Sequence, residues 1–191
     1  MSLVVLLTVV ANSAPLSIAH RGNSMFAPEN TLASFRSALG IADMVEFDVH
    51  VTRDGQLVIM HDDTVDRTTD GTGTVNRLTF SQLRAFDAGF WFSTNFVGER
   101  VPTMAEAILT ILPRATPLIE CKTGTPEAFV SEFRWLGVRT NVILYSFTWS
   151  FLAQVHSLDS GIRLAAIGRG TMTLATLAEI TNTGARIVMW E

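Results

Sequence analysis

Short apolar runs alternate with amphipathic segments along most of this chain, and this alternation constrains the fold more than any other feature of the sequence. Strands that alternate with helices form parallel sheets, because each helix returns the chain to the same end of the sheet. The apolar runs of strand length lie at residues 16–19, 44–49, 58–61, 118–122, 142–147, 163–167 and 186–190. Helical periodicity fills most of the intervals, so the sequence predicts an α/β domain with about six main strands.

Residues suited to helix caps stand before several of the helical segments. Thr79 and Thr103 are each followed three residues later by Gln82 or Glu106, which is the spacing of a capping box. Asn30 precedes the first amphipathic segment, and we predict that its side chain caps this helix.

Residues 62–100 interrupt the alternation with a long stretch that is rich in turns and contains one short helical pattern. A stretch of this length in a compact domain is usually functional or forms a small subdomain. The regular pattern then continues to a last strand that ends at Trp190. A closed eightfold βα barrel typically needs about 250 residues. We therefore predict a barrel whose C-terminal units lie outside this chain, with an open sheet as the alternative.

The N-terminal residues allow two interpretations. The apolar run from Leu3 to Val10 is followed by small residues, as in an export signal, but no basic residue precedes it. Residues 1–15 are thus predicted to be a signal or an N-terminal extension, with the domain at 16–191, and both a cytoplasmic and an exported location stay open. No apolar run has the length of a membrane span.

The net charge limits the classes of binding partner, and the cysteine count limits the covalent chemistry of the chain. The formal net charge is −4, and no basic block is present, which argues against nucleic acid as a partner. The single cysteine, Cys121, excludes an internal disulfide, and its place in an apolar strand favours a core position over a nucleophile. The oligomeric state is left open by the sequence.

Two carboxylates share one face of an otherwise apolar strand. Glu46 and Asp48 are two residues apart in Val-Glu-Phe-Asp-Val, so both side chains point to the same side of the sheet. Parallel strands usually have two apolar faces, and burying two unpaired carboxylates is costly. A divalent cation or a cluster of bases would offset that cost, and a solvated antiparallel strand is the alternative. His50 lies on the same face, where we predict a supporting role rather than that of a third ligand.

Further polar residues fall at or near strand ends. Glu120 and Lys122 share a face of another apolar strand, where a ligand role and an internal ion pair are equally plausible from the pattern. His20 follows the first strand, and His61 ends the run from Leu57. The carboxyl ends of barrel strands carry active sites, and two histidines can act as base and acid in one catalytic cycle.

The ordered motifs of the chain resemble the glycerophosphodiester phosphodiesterase family. The motifs that carry the resemblance are His20-Arg21-Gly22, Pro28-Glu29-Asn30-Thr31, Glu46-Phe47-Asp48-Val49, Thr52-Arg53-Asp54-Gly55, His61-Asp62, Arg67-Thr68-Thr69-Asp70-Gly71-Thr72-Gly73, Pro102-Thr103-Met104-Ala105-Glu106 and Ile119-Glu120-Cys121-Lys122. Each motif is weak evidence alone, whereas the ordered set is specific.

The resemblance implies a TIM-type βα barrel with a small insertion after the second strand. It implies hydrolysis of glycerophosphodiesters, which are small molecules, to glycerol 3-phosphate and an alcohol. The family's residues fall here on metal ligands Glu46, Asp48 and Glu120, catalytic histidines His20 and His61, and phosphate contacts Arg21 and Lys122. Trp190 is a candidate for the tryptophan that lines the family's substrate pocket.

Carboxylate ligands suit a hard divalent cation, so Mg²⁺ or Ca²⁺ is the expected cofactor. Two other hypotheses stay open at this stage. One is a phospholipase-type phosphodiesterase that acts on lipid head groups through the same histidines and carboxylates. The other is a truncated fragment that binds metal or phosphodiester without turnover.

Overall fold

A computed structural model of the chain describes residues 15–190, and the predicted signal segment lies outside these residues. The strands are β1 (Ile18–Ala19), β2 (Met44–Val51), β3 (Leu57–Ile59), β4 (Thr116–Cys121), β5 (Ile143–Ser146), β6 (Arg163–Gly168) and β7 (Ile187–Trp190). The α-helices are α1 (Leu32–Ala38), α2 (Phe80–Ala85), α3 (Met104–Ile111), α4 (Pro126–Leu136), α5 (Trp149–Leu158) and α6 (Leu174–Asn182).

Six of the strands form one parallel sheet in the order β1-β2-β4-β5-β6-β7, and β3 pairs antiparallel with β2. Sequential parallel strands with helices between them are the arrangement of a TIM-type barrel, which confirms the predicted fold class. Within residues 15–190, β1 and β7 form the two edges and do not pair with each other. The described residues therefore form an open, curled sheet.

The two faces of the sheet have different surroundings. Along β2, Val45, Phe47 and Val49 are fully buried in the large apolar core between the sheet and its helices. The intervening Glu46 and Asp48 are also buried, on the inner face of the sheet. A smaller apolar cluster lies on that inner face, composed of Leu118, Ile143, Tyr145, Ala165 and Ile167. The strand alternation thus places carboxylates among apolar side chains.

The long stretch after β3 has a small core of its own. Val65, Val75, Leu83 and Ala88 are buried there and pack with Met60, which follows β3. The stretch contains α2 and two short 3-10 turns at Val75–Arg77 and Thr94–Phe96. It therefore forms a small subdomain with its own apolar core rather than an extended loop.

The helix caps follow the sequence with one correction. Both predicted capping boxes form, but Thr31 and not Asn30 is the N-cap of α1, since its hydroxyl accepts the backbone N–H of Ser34. Asn30 instead has a positive φ of 57°, and its side-chain amide donates to Asp48 Oδ2.

The longest helix in the described part of the chain, α4, has 11 residues. Among the described residues, none of the helices combines the length and the apolar character that a membrane span requires.

Substitution of Thr103 by alanine is expected to lower the free energy of unfolding by about 1 kcal/mol, because it removes the α3 capping box. The Thr103 hydroxyl accepts the N–H of Glu106 at 3.1 Å, and the Glu106 carboxylate accepts the N–H of Thr103 at 2.8 Å. Urea denaturation followed by circular dichroism measures the change. Thr103→Ser keeps the hydroxyl and serves as the control, so an equal loss in both variants would contradict a capping effect.

Candidate active site

Three buried carboxylates meet on the inner face of the sheet, and we call them the acidic cluster: Glu46 and Asp48 on β2 and Glu120 on β4. Asp48 and Glu120 are register partners on neighbouring strands. One carboxylate oxygen from each of the three residues lies within 4.8 Å of the other two. Each of the three residues is at most 7% exposed, so water screens the mutual repulsion of their carboxylates poorly. The cluster therefore needs cations close to it.

Two basic side chains supply part of that charge. The Lys122 Nζ lies 2.6 Å from Glu120 Oε1 and 3.2 Å from Asp48 Oδ1. Burial lowers the pKa of Lys122, but these two carboxylates outweigh burial and raise it overall. Arg21 Nε lies 3.6 Å from Asp48 Oδ2, and the Arg21 backbone N–H donates to Glu46 Oε2 at 2.9 Å. The two predicted phosphate contacts thus lie beside the acidic cluster.

The chemistry of the acidic cluster fits a hard divalent cation. Its donors are all carboxylate oxygens, the type that Mg²⁺ and Ca²⁺ prefer. Asp48 Oδ1 is buried and accepts no hydrogen bond, although it is in ion-pair contact with Lys122. The positive charges of Arg21 and Lys122 also balance only two of the three negative charges that the carboxylates carry when all are ionised. Glu46, Asp48 and Glu120 are therefore the residues that can hold a metal here.

Tyr145 belongs to the same site, although the sequence pattern indicated only that it lies within a strand. It is the register partner of Glu120 on β5, and its hydroxyl lies 2.7 Å from Glu46 Oε1 and 3.1 Å from Glu120 Oε2. Burial raises the pKa of Glu46 to about 8, with a further contribution from Asp48. Burial and the same carboxylates raise the pKa of Tyr145. The phenol therefore stays protonated and donates one hydrogen bond to the carboxylates.

The two predicted catalytic histidines line a cavity of about 300 Å³ together with Arg21, Glu46 and Lys122. His20 follows β1, and its Nε2 lies 3.8 Å from Glu46 Oε2. Burial, and next the charge of Arg21, lower the pKa of His20. The structure thus gathers both histidines and both cations around the acidic cluster.

A series of ion pairs begins at the Nδ1 atom of His61. His61 Nδ1 lies 2.7 Å from Asp62 Oδ1, and because a carboxylate only accepts, Nδ1 carries the hydrogen. Arg67 contacts both Asp62 oxygens at 2.7 and 3.0 Å, which holds the pKa of Asp62 well below its usual range. The same guanidinium contacts both Glu29 oxygens at 3.0 and 2.8 Å, and Glu29 accepts from Arg21 at 3.0 Å. These ion pairs join His61 to Arg21.

The loop after β1 has an unusual backbone that aims polar groups at the acidic cluster. Arg21 and Asn30 both have φ of 57°, in the left-handed region. Asparagine tolerates this region better than most residues, because its short side chain can bind nearby groups. The Asn30 amide donates to Asp48 Oδ2 at 2.8 Å. Asn30 therefore orients a member of the acidic cluster, in place of the helix-capping role that the sequence suggested.

Three further residues lie outside the acidic cluster. Trp190, the predicted pocket residue, packs on Trp149 with 6.3 Å between ring centroids and donates to the Gly170 carbonyl at 2.6 Å. It is not among the residues that line the cavity of the two histidines. His50 lies within 3.2 Å of Thr123 Oγ1 and 3.3 Å of the His61 carbonyl, which agrees with a supporting role. Cys121 is buried, and burial raises the pKa of its thiol to about 12, so it is no ready nucleophile.

Known proteins are similar to this chain in sequence and fold. The chain is 37% identical over 160 residues to the glycerophosphodiester phosphodiesterase of Caldanaerobacter subterraneus and 34% identical over 189 residues to that of Bacillus subtilis. These alignments cover 80% and 86% of this chain, and 66% and 64% of the relatives. An Oleispira antarctica phosphodiesterase, solved in complex with the product sn-glycerol-3-phosphate, has a TM-score of 0.82 and 30% identity over 92% of this chain and 74% of that one.

The chain thus spans just under two thirds of the length of the curated relatives it matches. Within this chain, residues 20–182 match the sequence model of the glycerophosphoryl diester phosphodiesterase family. That range contains every residue of the acidic cluster, both histidines and both flanking cations. The chain belongs to the glycerophosphoryl diester phosphodiesterase family.

Proposed function

We propose that the chain catalyses the metal-dependent hydrolysis of glycerophosphodiesters to glycerol 3-phosphate and an alcohol, with two histidines as the proton-transfer groups. One observation carries the proposal: a single cavity is lined by two histidines and two cations beside three clustered carboxylates. The names of the relatives and the product found in the Oleispira antarctica structure support the substrate class.

Glu46, Asp48 and Glu120 would hold Mg²⁺ or Ca²⁺, and such a cation would neutralise charge on a phosphate oxygen. Arg21 and Lys122, which lie beside the acidic cluster, would bind the phosphate. Arg21 can form two parallel hydrogen bonds to phosphate, whereas Lys122 acts as a point charge. Fixing the phosphate between these groups orients the diester for attack and reduces the entropic part of the barrier.

The two histidines then exchange protons with the reacting oxygens. One takes a proton from the attacking hydroxyl or water, and the other protonates the departing alkoxide. In His61 the hydrogen on Nδ1 is held by Asp62, so Nε2 is the nitrogen that gives or takes the proton. In His20 the nitrogen nearer the acidic cluster is Nε2, which lies 3.8 Å from Glu46.

We expect purified protein to release glycerol 3-phosphate from glycerophosphodiesters when Mg²⁺ or Ca²⁺ is present, and to lose this activity in EDTA. The assay uses glycerophosphocholine and glycerophosphoglycerol in parallel. Circular dichroism in EDTA is the control that separates loss of metal from loss of fold. A folded sample that releases no glycerol 3-phosphate with either metal would argue against the proposal, and binding of metal without turnover would favour a binding-only fragment.

A second candidate is hydrolysis of the same linkage in a lipid head group. Its support is the exposure of apolar side chains near the site, since Met25 is 83% and Phe26 is 70% exposed in the loop that carries His20 and Arg21. Exposed apolar side chains beside a site suit an acyl chain or a membrane surface. Lysophosphatidylcholine as a third substrate tests this candidate, and a higher kcat/KM for it than for glycerophosphocholine would favour the lipid.

A further inference from the structure

Tyr145 brings a hydroxyl to the acidic cluster from a side that is otherwise apolar. The residue is 4% exposed and lies on β5, in register between Glu120 of β4 and Ala165 of β6. The side chains that pack with it in the smaller apolar cluster offer no oxygen to a cation, since they are Leu118, Ile143, Ala165 and Ile167. A rigid ring on a strand that is paired on both edges has little freedom, so the position of the hydroxyl is fixed.

The hydroxyl lies between two of the three carboxylates. Its oxygen is 2.7 Å from Glu46 Oε1 and 3.1 Å from Glu120 Oε2. A phenol carries a single hydrogen, so Tyr145 donates to one of these two oxygens at a time. The contacts tie a side chain of β2 to a side chain of β4 through a third strand, β5. Tyr145 therefore controls how far apart the two glutamates lie.

The contacts of the carboxylate oxygens limit how a cation can be held. Glu46 Oε2 accepts the Arg21 backbone N–H at 2.9 Å, and Asp48 Oδ2 accepts the Asn30 amide at 2.8 Å. Together with the contacts of the phenol, these bonds place an uncharged donor within hydrogen-bond distance of every carboxylate in the cluster. A carboxylate that is engaged in this way suits coordination through one oxygen better than through two.

This limit affects Mg²⁺ and Ca²⁺ differently. Mg²⁺ demands an octahedral shell at about 2.0 Å and keeps several of its waters, so a few single carboxylate oxygens are sufficient to hold it. Ca²⁺ gathers about six to eight oxygens at about 2.4 Å, and it often takes both oxygens of a carboxylate. Selectivity between the two cations depends on the size, the ligand number and the flexibility of the site. A fixed phenol between two glutamates reduces all three.

We propose that Tyr145 is a positioning residue that shifts the selectivity of the acidic cluster toward Mg²⁺ and away from Ca²⁺. This inference rests on the metal site of the proposed function. Without the hydroxyl, Glu46 and Glu120 can each turn both oxygens to one cation, which favours the larger shell of Ca²⁺. Mg²⁺ gains nothing from the additional oxygens, and it loses the fixed spacing of its ligands.

The test measures metal binding directly and needs no substrate. Isothermal titration calorimetry with MgCl₂ and with CaCl₂, on EDTA-treated and dialysed protein at one pH, gives the two Kd values for wild type and for Tyr145→Phe. The ratio of the Ca²⁺ Kd to the Mg²⁺ Kd is expected to fall about tenfold in Tyr145→Phe, the usual size of the effect when a partner of a metal ligand is lost. A purely structural role would weaken both cations by the same factor.

Ser146→Ala is the matched control, because it removes a buried hydroxyl from the next residue of β5. The Ser146 hydroxyl donates to the Cys121 carbonyl, and strand alternation directs it away from the acidic cluster. Its Kd ratio is expected to equal that of wild type. Circular dichroism establishes that each variant is folded. Tyr145→Met fills the apolar surroundings with a flexible side chain and replaces the phenylalanine variant if that one does not fold.

The outcomes separate this inference from the proposed function. An equal change of both Kd values in the folded Tyr145 variant, or no change in either, would overturn the inference while leaving the proposed function intact. A folded wild type that binds neither cation would overturn both. A tenfold fall of the ratio in a protein that releases no glycerol 3-phosphate would support the role of Tyr145 and count against the proposed hydrolysis alone.

Discussion

Replacement of Glu46 by glutamine is expected to reduce kcat/KM for glycerophosphodiesters by about 10³-fold, because a metal ligand worth several kcal/mol of charge stabilisation is lost. Glutamine has nearly the same shape as glutamate. Its amide oxygen can accept the Arg21 N–H, and its amide nitrogen can donate to the Tyr145 hydroxyl, which then donates to Glu120. The variant should therefore fold while binding metal weakly.

Stability measurements separate this effect from unfolding. The wild-type melting temperature should rise when Mg²⁺ or Ca²⁺ is added, since a ligand that binds only the native state stabilises it. Glu46→Gln should lose this rise, and in EDTA it should melt at the same temperature as wild type or higher, because one buried carboxylate no longer faces Asp48. Glu132→Gln, on α4, is the control and should keep both activity and metal response. Full metal-dependent turnover in Glu46→Gln would contradict the proposed metal site.

The sequence predicted most of the fold because its strongest signals are local. Alternating side chains on β2 already placed Glu46 and Asp48 on one face, and the structure has them there. The capping boxes at Thr79 and Thr103 depend only on residues three positions apart. The motif order also carried the resemblance to the family, which the match over residues 20–182 confirms.

The parts that the sequence missed depend on contacts between distant segments. Tyr145 lies 99 residues after Glu46 in the sequence. Only the register of β2, β4 and β5 reveals that Tyr145 is level with Glu120 and Asp48, two residues along the same strand face from Glu46. Arg67 bridges Asp62 and Glu29 from within the inserted stretch, 38 residues after Glu29. No local pattern encodes these distances.

The structure gives Asn30 a different role from the predicted helix cap, and it gives Trp190 contacts outside the acidic cluster. Asn30 has the composition of a helix cap, but Thr31 takes that place, because the left-handed backbone at Asn30 directs its amide to Asp48. Trp190 was predicted by resemblance alone, and the strand alternation of β7 turns it to the side of the helices, against Trp149. Its neighbour Met189 faces the cavity of the histidines instead.

Substitution of His61 by alanine is expected to reduce kcat/KM by about 10²- to 10⁴-fold, the usual cost of losing a general acid or base. Asp62→Asn should cost about 10- to 100-fold, because Asp62 holds the hydrogen on His61 Nδ1 and so fixes which nitrogen exchanges the proton. Steady-state assays of glycerol 3-phosphate release at saturating metal measure both effects. Circular dichroism melts establish that each variant is folded.

The double variant decides how Asp62 acts. If Asp62 works through His61, adding Asp62→Asn to His61→Ala should leave the residual activity unchanged, since the partner it positions is already gone. Asp62 also anchors Arg67, which joins the inserted stretch to Glu29 in the first loop. If that anchoring were its main role, the asparagine would lower activity by the same factor with or without His61. If Asp62→Asn lowers activity by the same factor in wild type and in His61→Ala, Asp62 acts mainly by anchoring Arg67. If it lowers activity in wild type but not in His61→Ala, Asp62 acts through His61.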